Sequence, residues 1–327
     1  MITDVLFGAT SIVVGIAVSY AVYWILDRLV GLTSDRVQKR IRAFAYLLPA
    51  AVLLIAVLFV PLIQTFVFSF MNSNGRKWVG FENYVDLFTD EGFLGILLNN
   101  FLWIAFVPAA TVGFGLLIAS LTNQVGPTRE KVFKSLIFMP MSISFISAAT
   151  IWSFIYVNVP PGRPEIGLLN ALVIAFGGEP QPWMLVSEFR LNSFLLMIII
   201  VWLQTGFAMV LISAAIKAVP EETLEAARVD GASRLQVFWR IVLPQIWGSV
   251  MAVFVTVIIM VMKIFDIVLA MTGGAFETSV LGFQFYQEYF LNSEVGKASA
   301  IVVVLTLLIV PLMWLQIRTV RHQEALR

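Results

Sequence analysis

Few residues in this chain could do covalent chemistry. It has no cysteine and a single histidine, His322, which excludes thiol chemistry, a His/Cys metal site and a Ser-His triad. No G-x-x-x-x-G-K-[ST] stretch is present to cradle a nucleotide. The chemistry that remains is binding and charge. Lys263 and Asp266 stand inside a long apolar run. Each would cost roughly 2.5–3.5 kcal/mol at a bilayer centre and needs a partner or a water-filled cavity. Three residues apart on a helix, they can reach one another. A structural or gating ion pair is the favoured expectation, and an ion relay in a secondary transporter is the alternative. Trp202, Gln204, Thr205 and Phe207 lie in another apolar run. They combine hydrogen-bonding groups with flat apolar rings, the make-up of a small-molecule pocket. The third group is polar: Glu225-Ala226-Ala227-Arg228-Val229-Asp230-Gly231-Ala232, followed by Ile241-Val242-Leu243-Pro244.

The elements that must position these groups follow from composition. The 327 residues are 60% hydrophobic and 13% charged, against roughly 45–50% and about 25% in soluble domains. Lipid is the solvent that such a chain fits. Seven apolar runs stand at 5–26, 44–70, 99–122, 135–156, 191–213, 246–270 and 297–318. A hydrocarbon layer of about 30 Å takes about 20 helical residues, so each run can cross it. Lipid cannot satisfy open backbone groups, and the runs lack the alternation of barrel strands, so they read as helices. The expected fold class is an all-α membrane protein with seven transmembrane helices. Residues 1–26 read as a retained helix, because Asp4 stands where a cleaved signal has basic residues.

Charge gives the orientation. Fifteen of the 21 Lys and Arg residues lie in 27–43, 123–134, 214–245 and the tail from Arg318. That bias puts these segments and the C-terminus in the cytoplasm and the N-terminus outside. Net charge is only +1, so no nucleic-acid partner is expected.

The polar segment reads as a short, exposed helix pair. Pro220 can start a helix, and Glu221 and Glu222 suit its positive end. Glu225 and Arg228 are spaced to pair. Gly231 suits a left-handed turn, and Ser233 an N-cap for a second helix with Leu235, Phe238, Trp239 and Val242 on one apolar face. Outside, Phe81, Tyr84, Val85 and Phe88 share a helical face that would lie on headgroups or on the protein itself. Residues 157–190, rich in Pro and Gly, read as a compact cap.

The pattern E-A-A, D-G-A from Asp230 and I-x-L-P at Ile241–Pro244 resembles the cytoplasmic loop of binding-protein-dependent ABC importer permeases. The likeness runs from about Pro49 to the C-terminus and is nearest to carbohydrate-type permeases of the maltose and α-glucoside kind. Phe265-Asp266, Thr272-Gly273-Gly274, and Trp152 with Gly167-Leu168-Leu169-Asn170 are similar to further motifs of that family; Thr278, Leu281 and Tyr286 fit more loosely.

The resemblance implies two parts: an additional N-terminal helix with a basic linker, 1–43, and a six-helix importer permease core, 44–327. It implies that Glu225, Ala226, Ala227, Asp230, Gly231, Ala232, Phe238, Leu243 and Pro244 couple to an ATPase. It places Trp202, Gln204, Thr205, Phe207, Met260, Val261 and Ile264 on the path of a sugar such as maltose or trehalose. Gln204 stands where the family has a glycine, and the last three are apolar. Implied partners are a second permease, making a heterodimer, a dimer of ATP-binding subunits, an external sugar-binding protein and the bilayer. The chain itself would bind no cofactor, with ATP and Mg on the ATPase, and would not be an enzyme. It would reside in the bacterial inner membrane.

Overall fold

The structure, a computed structural model, describes residues 2–32, 35–160 and 162–324. It divides into two compact units, Met1–Val67 and Phe68–Arg327. The first holds α1 (Ile2–Gly31) and α2 (Asp35–Leu54), which runs through a π turn (Ile55–Phe59) into α3 (Val60–Phe68). Near their joined ends the Tyr46 hydroxyl donates to Asp27 (2.6 Å), Arg42 lies 3.6 Å from the same carboxylate, and Tyr23 stacks on Tyr46. The apolar stretch Ile41–Phe68 buries none of its side chains within the chain. Its exposed apolar surface and helical backbone are suited to hydrocarbon.

The second unit is a bundle. In chain order it holds α4 (Glu82–Thr89), α5 (Glu91–Thr122), α6 (Pro127–Phe138), α7 (Phe145–Tyr156), α8 (Leu168–Ala175) and α9 (Leu191–Lys217). Then follow α10 (Glu221–Val229), α11 (Arg234–Val237), α12 (Leu243–Met262), α13 (Asp266–Met271), α14 (Leu281–Tyr286) and α15 (Val295–Glu324). Among the described residues the only β pairing is an isolated bridge, Met71 with Trp78. Helix α9 is the central post, packed against α5, α6 and α12. Small residues let backbones approach it, as expected where lipid supplies no hydrophobic drive between helices. A Cβ on Gly115 would stand 2.6 Å from Ala208, and one on Gly206 would stand 2.6 Å from the Ile137 carbonyl.

Among the described residues six helical stretches are long and apolar enough to cross a membrane, and a bent pair makes a seventh where it is counted as one span. Two of the expected spans are not continuous. The fourth, expected at 135–156, is α6 and α7 meeting at 101°. Pro140 sits in a 3₁₀ turn (Met139–Ser142), and Ser144 then caps α7 by accepting from the Ser147 N–H. The sixth, expected to run to 270, stops at Met262. Lys263-Ile264-Phe265 leave the helix, and α13 restarts at Asp266.

At the α13 end of the bundle, buried asparagines fasten the loop between α13 and α14. Asn99 donates to the carbonyls of Glu277 and Ser279, Asn100 accepts from the Leu281 N–H (2.8 Å), and Asn192 donates to the Phe276 carbonyl (2.7 Å). This bonding holds Phe276 and Glu277 at positive φ, a costly conformation for residues with a Cβ. Helix α4 at this end divides its surface. Leu87 is buried and Tyr84 bonds to Ser69, while Phe81, Val85 and Phe88 point outward.

Candidate functional site

The elbow between α9 and α12 is built as its residue types dictate. Pro220 stands just before α10 rather than within it, and Glu221 and Glu222 occupy the first turn. The helix closes at Gly231, whose φ is +77°. The Gly231 N–H bonds to the Arg228 carbonyl and the Ala232 N–H to that of Ala227, so the last carbonyls are satisfied by a left-handed cap. Ser233 and Gln236 form a reciprocal capping box that starts α11. A π turn (Phe238–Val242) carries the chain into α12, whose first residues are Leu243 and Pro244. Glu225, Ala226, Asp230 and Gly231 are exposed, Ala232 is half-buried, and Ala227 is buried underneath.

Two expectations for the elbow need correction. Among the described ion pairs Glu225 and Arg228 do not meet; Arg228 instead lines a cleft of about 610 Å³ with Asn123, Leu224, Arg234 and Phe238. The apolar face of the second helix is split by the π turn, with Val242 buried and Phe238 half-buried, but Leu235 and Trp239 exposed.

In mid-bundle the broken spans come together. A cleft of about 360 Å³ is lined by Met141, Ile143, Ser144 and Phe145 at the α6–α7 bend, by Leu203 and Gln204 of α9, and by Asp266. A second cleft, about 470 Å³, is lined by Trp152, Trp202, Thr205 and Pro140 among apolar neighbours. Trp202 meets Trp152 edge to face, and Thr205 spends its hydroxyl on the Val201 carbonyl (2.6 Å). Adjacent residues of α9 therefore serve different clefts. Met260 and Phe207 are half-buried against the core. Val261 and Ile264 are enclosed in it and line neither cleft.

Lys263 and Asp266 do not form the helical pair expected from their spacing, because the helix breaks between them. Lys263 lies exposed at the end of α12 and Asp266 in the first turn of α13. A cation at the negative end of one helix and an anion at the positive end of the next are each stabilised by a helix dipole. The two charges thus answer the break rather than each other.

The segment 157–190 is organised on Asn170, which is fully buried. It accepts from the Trp183 indole (2.7 Å) and the Gln181 N–H (2.9 Å) and donates to the Gln181 carbonyl. Gly167 has no room for a side chain: a Cβ would stand 2.1 Å from the Val157 carbonyl. Glu165 accepts from the N–H groups of Gly167 (2.8 Å), Val159 and Ile166 and from the Asn170 amide. These donors, Gly167 first, hold its carboxyl below the ordinary range. A depressed value means that the bonds stabilise the cap above the unfolded pKa of about 4.3 and are lost as pH falls through the folded value. Hydrogen exchange at the Gly167 amide should therefore lose protection on acidification. Glu165→Gln should expose that amide at pH 7 and flatten the acid dependence; protection unchanged by the substitution would refute the assignment.

One cluster escaped sequence reasoning. Glu130, Lys134, Ser213, Lys217 and Asn123 converge at the root of the elbow. The i,i+4 spacing of Glu130 and Lys134 was visible in sequence; the approach of α9 was not.

Several helices long and apolar enough to span a membrane, two clefts within the bundle and an exposed elbow fit a polytopic membrane transport subunit. The chain belongs to the family of binding-protein-dependent transport system inner membrane components, matched over residues 111–322, and is the permease of an ABC importer. It is 44% identical over 290 residues to the alpha-glucoside transport system permease protein AglF of Rhizobium meliloti, covering 88% of this chain and 85% of that one. It is also 44% identical over 282 residues to the osmoprotective compounds uptake permease protein GgtC of Synechocystis, covering 86% and 100%. Its fold is similar to that of a bacterial alginate ABC transporter chain solved with an alginate pentasaccharide-bound periplasmic protein. That likeness has a TM-score of 0.74 at 20% identity and covers 86% of this chain and 96% of the other.

Proposed function

We propose that this permease forms half of an inner-membrane translocation path for an α-glucoside or related oligosaccharide and is driven by a separate ATPase through the Glu225–Pro244 elbow. The observation that carries the mechanical part is the elbow itself. It is a doubly capped helix pair that presents Glu225, Ala226, Asp230 and Gly231 to solvent without packing them on its own chain. The Lys and Arg bias supports a cytoplasmic elbow and C-terminus and an external N-terminus. A second, non-identical permease would complete the path, and an external binding protein would deliver the sugar. Nucleotide and Mg would stay on the ATPase. This chain has no G-x-x-x-x-G-K-[ST] phosphate-binding stretch.

For the substrate, the support is the 44% identity to an α-glucoside permease and the cleft at the two broken spans. Gln204 and Asp266 offer hydrogen-bonding groups there beside Phe145 and Met141, a mix suited to sugar hydroxyls and ring faces. Lys263 and Asp266, each held at a helix end, are suited to move apart as the break opens and closes.

The test is reconstitution of the full complex in liposomes with radiolabelled trehalose or maltose. Uptake should require ATP and the binding protein. A proton gradient without the ATPase should give none; accumulation under that condition would instead favour an ion-coupled carrier.

A further inference from the structure

We propose that Glu130 is a positioning residue that clamps the root of the elbow to the bent span, so that elbow and cleft move as one piece. This rests on the coupling role proposed above.

The geometry is specific. Glu130 lies in α6 and is only 9% exposed. One carboxylate oxygen receives two ammonium groups, Lys134 at 2.5 Å and Lys217 at 2.5 Å. Lys217 is the last residue of α9, directly before the turn into α10. Lys134 also bonds to Ser213, one turn earlier on α9, and reaches Asn123 (3.3 Å); Ser213 donates to the same Asn123 oxygen (2.9 Å). Three elements are thus tied at one point: the end of α5, the start of α6 and the end of α9.

The tie has direction. From Glu130 the chain continues along α6 to Ile137 and Phe138, which rest on Gly206, and then through the bend whose residues line the cleft with Gln204 and Asp266. A push on α10 reaches Lys217 within a few residues. Through Glu130 it reaches α6, and through α6 the bend. Without the clamp, α9 could tilt at its end while α6 stayed behind. Slippage of α9 along α6 would part Lys217 from Glu130 and Ser213 from Lys134, leaving the carboxylate with one cation in place of two.

The test compares Lys217→Met, Lys217→Arg and Glu130→Gln in the reconstituted complex, with uptake of labelled trehalose or maltose normalised to assembled complex. Lys217 is 55% exposed, so its substitution leaves the fold intact even where Glu130→Gln lowers the yield. Lys217→Met should cut the maximal uptake rate by at least about fivefold, the lower end of typical coupling effects. The concentration of sugar-loaded binding protein that half-saturates uptake should not change. Lys217→Arg should restore most of the rate. Unchanged uptake per complex in Lys217→Met, equal loss in Lys217→Arg, or a change in half-saturation alone would overturn the clamp. Gly231→Val serves as the reference. If it also transports normally, the coupling role itself fails; if it is inactive while the Lys217 variants are normal, only the clamp fails.

Discussion

Gly231→Val is expected to leave the chain in the membrane and assembled but to reduce ATP-driven uptake by more than about tenfold, within the range of coupling energies between sites. The residue sits at φ +77° with nothing within 4 Å of a would-be Cβ, so the substitution creates no clash and disturbs no core. Its cost is conformational. A left-handed residue with a Cβ costs roughly 1–2 kcal/mol, and a β-branched one more. The cap that closes α10 onto the Arg228 and Ala227 carbonyls is then strained, and the angle between α10 and α11 shifts. Gly231→Ala should fall between the two. Quantitative blots of the membrane fraction beside uptake rates separate lost coupling from lost protein. Full transport by Gly231→Val would show that the elbow angle does not matter.

The second large effect is expected at Gly206. A Cβ there would lie 2.6 Å from the Ile137 carbonyl and 2.6 Å from the Phe138 Cα, both backbone atoms. Backbone cannot rotate away as a side-chain end can, so Gly206→Ala must push α6 off α9. Overpacking of this kind costs about 1–3 kcal/mol. Here it also displaces the bend that lines the cleft with the neighbouring Gln204. Gly206→Ala should lower thermal stability in detergent and depress uptake, whereas Gly113→Ala, which meets nothing within 4 Å, should do neither. Equal stability of the two variants would refute the close approach.

What the sequence made legible was local. Gly231 and Ser233 act where their conformational preferences are strongest, so the elbow could be read from residue types alone. The long apolar runs declared themselves because a membrane span is a matter of length and composition. What stayed hidden depends on which helices meet. Lys263 and Asp266 looked like an i,i+3 pair only while the helix was assumed to continue. Pro140 signals a bend but not one of 101°. Val261 and Ile264 share a run with Met260, yet burial closes them off because other helices cover that face. The Glu130–Lys217 contact joins residues far apart in the chain, and no periodicity announces it.

A single cysteine at the elbow gives the most direct measurement. The chain has none of its own, and Ala226 is exposed, so Ala226→Cys offers a unique thiol. In the assembled complex a short bifunctional crosslinker should join it to the ATPase subunit, with a yield that changes on adding ATP, and in intact cells a membrane-impermeant maleimide should leave it unlabelled. Labelling from outside, or a thiol that never joins the ATPase in any nucleotide state, would contradict the account.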